Sequence, residues 1–398
     1  MDPVRNPFAP GAGTPPPDLS GRDDLLTRAG IALERVKAGR SEKSLVLVGL
    51  RGVGKTVLLN EIRLQADKIG YATCPVEAHE AKPLAALLVP QLRRVLLEFD
   101  RAEQLNTQVK RALRVFRGFV GALRLKISDI ELGMDIDPEP GVADSGDLEA
   151  DLPALFAELG RAAAARHRAI GLFIDEIQYC STTELSALIM AVHRAAQEQL
   201  PVTLFAAGLP QVVSLFGRSK SYAERQFDFP QIGALDVADA RTALERPAAQ
   251  ENVHFEAAAL DEIHEHTLGY PFFLQEWGYH AWNQANASPI GVDDVVRATK
   301  VAITRLDEGF FRVRFDRLTP REKDYLRAMA EIGPGPHRSG DVAKILNKRT
   351  SDLGPLREGL IIKGMVYAPA HGDIAFTVPL FDFFLRRIMP DWREERHG

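Results

Sequence analysis

The stretch Gly49-Leu50-Arg51-Gly52-Val53-Gly54-Lys55-Thr56 satisfies the pattern G-x-x-x-x-G-K-[ST] in full. This is the feature that most narrows the fold, because such a loop works only between a buried strand and a helix. Glycines let successive backbone N–H groups curl around phosphates, and the helix N-terminus adds the positive end of its dipole. The flanks agree. Leu45-Val46-Leu47-Val48 reads as a buried strand, and Val57-Leu58-Leu59-Asn60-Glu61-Ile62 opens a helix. Lys55 is placed to reach the β- and γ-phosphates of a nucleoside triphosphate, and the Thr56 hydroxyl to hold Mg²⁺. The residues assigned to nucleotide contact are therefore Gly49, Leu50, Arg51, Gly52, Val53, Gly54, Lys55, Thr56 and Val57.

A second apolar run, 169–174, ends in Asp175-Glu176. That is a core strand presenting two carboxylates at its C-terminal end. In phosphate-loop enzymes the first carboxylate binds the metal, here Asp175 together with Thr56, and the second, Glu176, orients and deprotonates an attacking water. Loop first, acidic pair more than a hundred residues later, fits one doubly wound α/β domain with a parallel sheet.

At 398 residues the chain exceeds one compact core and calls for two or three domains. The formal charge of −5 gives no global basic field for nucleic acid. No apolar run nears the ~20 residues of a membrane span. The first 17 residues are rich in Pro and Gly and lack the apolar segment of a signal peptide. Cys74 and Cys180 stand far apart in no metal spacing and read as buried thiols of a reducing cytoplasm.

Along the chain, a proline-rich arm (1–19) is expected to be extended or draped on the surface. Ser20 is expected to cap a first helix. Strands are expected at 45–48, 71–76, 170–174 and 202–207, with one long helix over 84–116 between the second and third. Residues 122–137 alternate apolar and polar and predict a β-ribbon, followed by a Pro/Gly/Asp loop to 146. The pattern turns almost wholly helical after Pro230. Thr319-Pro320-Arg321-Glu322 is a strong helix start, and Ser339 is expected to cap a second short helix. A third helix over 351–363 and a hairpin around His371-Gly372-Asp373 complete the outline of a winged helix.

Together these features resemble the AAA+ ATPases, above all the branch holding archaeal origin-recognition-type ATPases and the related STAND signalling switches. The resemblance spans nearly the whole chain. It implies a P-loop NTPase domain with a doubly wound parallel sheet (20–234, with a β-rich insertion at about 122–146), a helical lid (235–315) and a C-terminal winged helix (316–398). It further implies ATP and Mg²⁺ as ligands, Arg22 near the base, and Pro271 in a G-x-P-like element, Gly269-Tyr270-Pro271, facing the nucleotide. Arg225, with Arg218 nearby, is the candidate arginine finger of a homo-oligomer. Two departures stand out. Where motors carry a polar sensor on the fourth strand, this chain has Ala206-Ala207-Gly208, and the lid stretch 269–276 has no arginine. Both point to a slow switch rather than a fast motor.

Two functions follow. In the first, a cytoplasmic ATPase couples Mg·ATP occupancy to DNA binding through the winged helix, with Lys344, Lys348, Arg349, Arg357 and Lys363 meeting phosphates. From Asp316 onward, however, 14 Lys/Arg face 12 Asp/Glu, which is no strong basic footprint. In the second, a STAND-like switch or scaffold holds nucleotide tightly, recruits a protein partner and leaves DNA untouched. His264 and His266 sit two apart on a helix and so do not share a metal-binding face.

Overall fold

The computed structural model describes residues 1–11, 13–100, 106–123 and 137–392. The expected ribbon, with Leu125, Ile127, Ile130, Leu132, Met134 and Ile136, lies outside the described residues.

The strands are β1 (Ser44–Gly49), β2 (Tyr71–Glu77), β3 (Ala169–Asp175), β4 (Val202–Gly208), β5 (Phe227–Asp228) and β6 (Gln231–Ile232). They form one parallel sheet in the order β2-β3-β4-β1-β5, with β6 also beside β1. A parallel sheet is covered on both faces, so its strands read as continuous apolar runs. Alternation still sorts the side chains. Leu45 and Leu47 of β1 face a cluster with Phe173, Phe205 and Ile62, beneath α1 (Asp23–Lys37) and α2 (Lys55–Lys68). Val46 and Val48 face the opposite, larger cluster, with Cys74, Leu172 and Leu204. That face is covered by α3 (Leu84–Asp100), α4 (Thr107–Ala122), α5 (Leu148–Ala164), α6 (Thr182–Gln197), α7 (Val212–Ser219) and the short α8 (Ala223–Gln226).

β4 stands between β1 and β3. The phosphate loop leaves β1 and the acidic pair leaves β3, so the two motifs start about 10 Å apart, two strand spacings. The first turn of α2 spans that gap.

Two helix starts differ from the sequence reading, and one helix divides. Ser20 does not cap α1: its hydroxyl is taken by the Asp18 carboxylate, and the helix begins at Asp23 behind Arg22. The expected helix over 84–116 is two helices, because Asn106 caps α4 by accepting from the N–H groups of Gln108 and Val109 at 2.9 and 3.4 Å. Ser339 is already inside its helix, and its buried hydroxyl has no partner.

Four lid helices follow: α9 (Val237–Gln250), α10 (Ala257–Thr267), α11 (Pro271–Gln284) and α12 (Val292–Arg305). A π-turn over Leu306–Phe311 and α13 (Arg312–Phe315) lead into the terminal unit. That unit comprises α14 (Pro320–Ile332), β7 (His337–Arg338), α15 (Ser339–Ile345), α16 (Gly354–Ile362), β8 (Val366–Tyr367), β9 (Asp373–Phe376) and α17 (Phe381–Ile388). Thr319 and Glu322 close the expected capping box on α14. The hairpin gains a third strand, with antiparallel order β7-β9-β8.

Lid and terminal unit share one apolar core. Phe311 of the π-turn contacts Phe381 and Phe384 of α17 at ring separations of 5.9 and 5.2 Å, and Phe273 of α11 at 6.3 Å. Arg387 adds a two-pronged ion pair to Asp307, at 2.9 and 2.6 Å. The N-terminal arm joins the same core. Phe8 seats directly over Gly278, where a Cβ would come within 2.7 Å of its ring, and the Trp282 indole donates to the Asp2 carbonyl at 2.9 Å. Because Phe311 is the shared piece, Phe311→Ala should destabilise lid and terminal unit together by about 3–5 kcal/mol. A denaturant titration followed by hydrogen exchange checks this: residues 237–392 should loosen as one, while the sheet keeps its protection.

Candidate functional site

The phosphate loop takes its shape from its glycines. Gly52 and Gly54 hold φ of +78° and +91°, a region that residues with a Cβ seldom enter. Gly49 is needed for a different reason: a Cβ there would lie 2.2 Å from the Ile232 carbonyl oxygen of β6. The loop feeds α2 at Lys55, so the first N–H groups of that helix are turned toward the space the loop encloses.

Lys55 is buried, and its ammonium donates to the Leu50 carbonyl at 2.8 Å. Burial pushes its pKa down to about 8, only partly countered by the carboxylates of Glu176 and Asp175, with Arg51 adding to the depression. The Thr56 hydroxyl donates to Asp175 Oδ2 at 2.6 Å, and the Glu176 N–H to Asp175 Oδ1 at 2.8 Å. Burial holds the Asp175 carboxyl above its usual range against both of these bonds. A buried carboxylate beside a hydroxyl, opposite a phosphate cradle, suits Mg²⁺, which takes one or two protein oxygens and fills the rest with phosphate and water. Among the described residues no group of three or more His, Cys, Asp or Glu forms a metal cage of protein ligands alone.

Glu176 takes a left-handed φ of +51°. Its carboxylate accepts from the Gln178 side-chain amide on one oxygen, and Arg51 Nη1 stands 3.7 Å from the other. Gln178 also accepts the Leu209 N–H at 3.0 Å, just past the apolar end of β4.

These groups line one end of a cavity of about 460 Å³, within the range of small-molecule sites. Leu19, Ser20, Arg22, Leu235 and Leu274 form another part of its wall, and Pro271, at the first position of α11, lies on the rim. Arg22 donates to the Gly233 carbonyl at 2.5 Å, and burial lowers its pKa. Residues 9–11, 13, 14 and 16 of the arm also face the cavity. Arg225 does not. It is exposed on α8, away from the cavity of its own chain.

One site residue escaped the sequence reading. Arg314 of α13 enters the cavity, its guanidinium over the Phe310 ring at 4.2 Å and bonded to the Phe310 carbonyl. Burial, with Arg51 and Arg317 nearby, pushes its pKa down to about 10, offset in part by Glu176 and Tyr179. The sequence reading finds no arginine in the lid stretch 269–276; Arg314 lies at the far end of the expected lid span, on a four-residue helix with no local signature. Phe310 in turn stacks on Phe272 of α11, with ring centroids 4.7 Å apart.

Residues 18–205 match the AAA ATPase domain family, and residues 308–385 match a domain of unknown function, DUF8462. The second match takes in Arg314 and most of the terminal unit. No curated protein matches the chain in sequence. Among solved structures the chain is similar to the Walker-type ATPase PabY2304 of Pyrococcus abyssi. That alignment has 17% identity and a TM-score of 0.58, over 94% of this chain and 97% of that one. It also aligns with the RuvB Holliday junction branch migration motor of Thermotoga maritima, at 17% identity and TM-score 0.45, over 89% and 92%. The ORC1 protein of Aeropyrum pernix, solved in complex with DNA, aligns at 15% identity and TM-score 0.44, over 96% and 95%. Residues 18–205 are thus similar to the AAA ATPase domain family, and the parallel sheet with its covering helices has the AAA+ P-loop NTPase fold.

A bound polyphosphate favours charged Lys55, so the lysine's pKa must rise on binding. Affinity is then fully present below the free value of about 8 and falls as pH climbs through it. Titrating ATP without Mg²⁺ between pH 7 and 9.5 should show affinity dropping above pH 8, with a limiting slope of about tenfold per pH unit. Lys55→Ala should bind roughly ten- to hundredfold more weakly and lose that pH dependence.

Proposed function

We propose that the chain is a slow ATPase switch: it binds Mg·ATP at the phosphate loop and couples nucleotide state to the seating of a C-terminal winged helix. The carrying observation is that the loop is gripped from two sides by the parts that would move. The Arg51 N–H donates to the Thr377 carbonyl of the terminal unit at 2.9 Å, and the Gly52 carbonyl accepts from the Phe272 N–H of α11 at 3.1 Å. Phosphate entering the loop meets both bonds.

In this reading Lys55 and the loop N–H groups hold the phosphates. Thr56 and Asp175 hold Mg²⁺, which when bound draws charge off the phosphate oxygens. Glu176 orients the water. Arg314 supplies a second cation at the phosphate end, while Leu19, Ser20, Arg22 and Pro271 enclose the remainder of the nucleotide. Hydrolysis is slow because the end of β4 offers no side chain to a γ-phosphate. Arg225, exposed on α8, acts as a finger only across a homo-oligomer interface.

For the output we favour the STAND-like alternative, a protein partner, over DNA. The hairpin turn around His371, expected at a DNA minor groove, instead lines a groove of this chain with Leu353, Gly354 and Arg357 and with Ser214 of α7. Four of the five basic side chains expected on phosphates have partners within the unit. Lys344 pairs with Asp341 at 2.9 Å, Arg349 with Asp352 at 3.1 and 3.0 Å, and Lys363 with Glu322 at 2.7 Å, while Arg357 donates to the Asp373 carbonyl at 2.9 Å. No described helix is long and apolar enough to cross a membrane.

Hydrogen exchange over residues 364–378 tests the switch. Protection should be high with ADP and fall with a non-hydrolysable ATP analogue, and Lys55→Ala should not respond. Equal protection in every state would sink the switch. DNA retention should be weak in both nucleotide states. ATP-dependent, salt-sensitive retention that an Arg349→Ala/Arg357→Ala variant loses would return the output to DNA.

A further inference from the structure

Arg51 occupies a variable position of the phosphate loop, yet it touches three things at once. Its N–H is bonded to the Thr377 carbonyl. Its guanidinium runs along the terminal unit at Gly364, where a Cβ would lie 3.0 Å from Nη2; Gly364 has a φ of +63°, and this surface leaves the arginine room to pass. The far end of the same side chain reaches Glu176 Oε1 at 3.7 Å and the Tyr179 hydroxyl at 3.4 Å. The second oxygen of Glu176 is held by Gln178, which is itself anchored to the Leu209 N–H.

Both carboxylate oxygens of Glu176 thus face protein donors, Gln178 on one and Arg51 on the other. A general base must lie within hydrogen-bond reach of the proton it takes, so geometry comes before strength. A carboxylate drawn sideways by a guanidinium and an amide does not meet that condition. Glu176 and Tyr179 draw the Arg51 side chain from within its own domain, and the docked terminal unit adds the surface at Gly364 beside the guanidinium and the carbonyl that fixes the peptide.

We infer that Arg51 is a positioning residue through which the docked terminal unit holds the Glu176 carboxylate away from water, so that hydrolysis waits on undocking. This rests on the reading that Glu176 orients the water. When the unit lifts, Arg51 loses the Gly364 surface and the Thr377 carbonyl together, and the carboxylate is left to Gln178 alone. The inactive state of the switch is then written into the catalytic centre itself.

The test uses the full chain, with turnover and nucleotide affinity measured separately. Arg51→Ala keeps its backbone bond to Thr377, so docking persists while the hold on Glu176 is lost. The turnover number should rise about tenfold, with ATP affinity and KM changed less than about threefold: the sequence assigns Arg51 to nucleotide contact, but its N–H is bonded to Thr377 and its guanidinium faces Glu176 and Tyr179. Arg51→Lys, which keeps the charge but not the fork, should fall between Arg51→Ala and the native chain. Gln178→Ala, removing the other restraint, should also raise turnover, and serves if Arg51→Ala folds poorly. Unchanged or slower turnover in Arg51→Ala would overturn the inference. So would a loss of affinity beyond about tenfold, which would make Arg51 a phosphate ligand. Glu176→Gln separates the two layers. Native turnover in that variant removes the base assignment and the inference with it. Lost turnover there, with binding intact and no gain in Arg51→Ala, removes the Arg51 inference alone.

Discussion

A single peptide hydrogen bond, from the Arg51 N–H to the Thr377 carbonyl, ties the phosphate loop to the other end of the chain. Such a bond contributes about 0.5–1.5 kcal/mol net, which is small enough for a bound nucleotide to outweigh. What gives it reach is the body behind Thr377. The terminal unit is not hung on a linker; Phe311, Phe381 and Phe384 weld it to the lid in one apolar core. Packed cores switch between arrangements rather than deform continuously. A change at the loop therefore moves lid and terminal unit as one piece or leaves both in place. The second bond, from the Phe272 N–H to the Gly52 carbonyl, is the lid half of the same grip.

Electrostatics set the direction of that change. Lys55, Arg51 and Arg314 converge on a region where Asp175 and Glu176 are the nearest carboxylates. Lys55 and Arg314 are both driven toward losing charge by burial, and each feels Arg51 as a like-charged neighbour. A polyphosphate with its metal supplies the missing negative charge and relieves both groups, one on α2 and the other on α13 below the terminal unit. In the proposed switch, Arg314 gives the nucleotide a handle on lid and terminal unit that Lys55, at the start of α2, does not provide.

Much of this was legible in the sequence because the signals are local. The phosphate loop, the acidic pair on β3 and the apolar runs of β1 and β4 depend only on neighbouring residues and strand period, and each was read within a residue or two of its observed bounds. The capping box of Thr319 and Glu322 is equally local. What escaped depends on partners far along the chain. Ser20 has the chemistry of a cap, but Asp18 claims its hydroxyl. Arg314 lies more than 250 residues from the loop it faces, in a stretch whose pattern shows only an aromatic run. The arm reads as a proline-rich segment extended or draped on the surface, and distant partners set its place: Gly278 admits the Phe8 ring, Trp282 binds the Asp2 carbonyl and Glu251 pairs with Arg5.

The apolar end of β4 shows how the absence of one residue shapes its surroundings. Ala207 and Gly208 present no polar side chain where the phosphate loop and acidic pair meet, and Gly208 cannot carry one. A Cβ there would lie 2.5 Å from Val212 and 2.8 Å from Gln178 Oε1. The space belongs to Gln178, whose carbonyl caps the Leu209 N–H and whose amide is spent on Glu176. The polar group at this point thus faces the Glu176 carboxylate. With Arg51 on its other oxygen, Glu176 has its polar neighbours in the protein itself. In the proposed switch these contacts hold the geometry occupied between hydrolysis events.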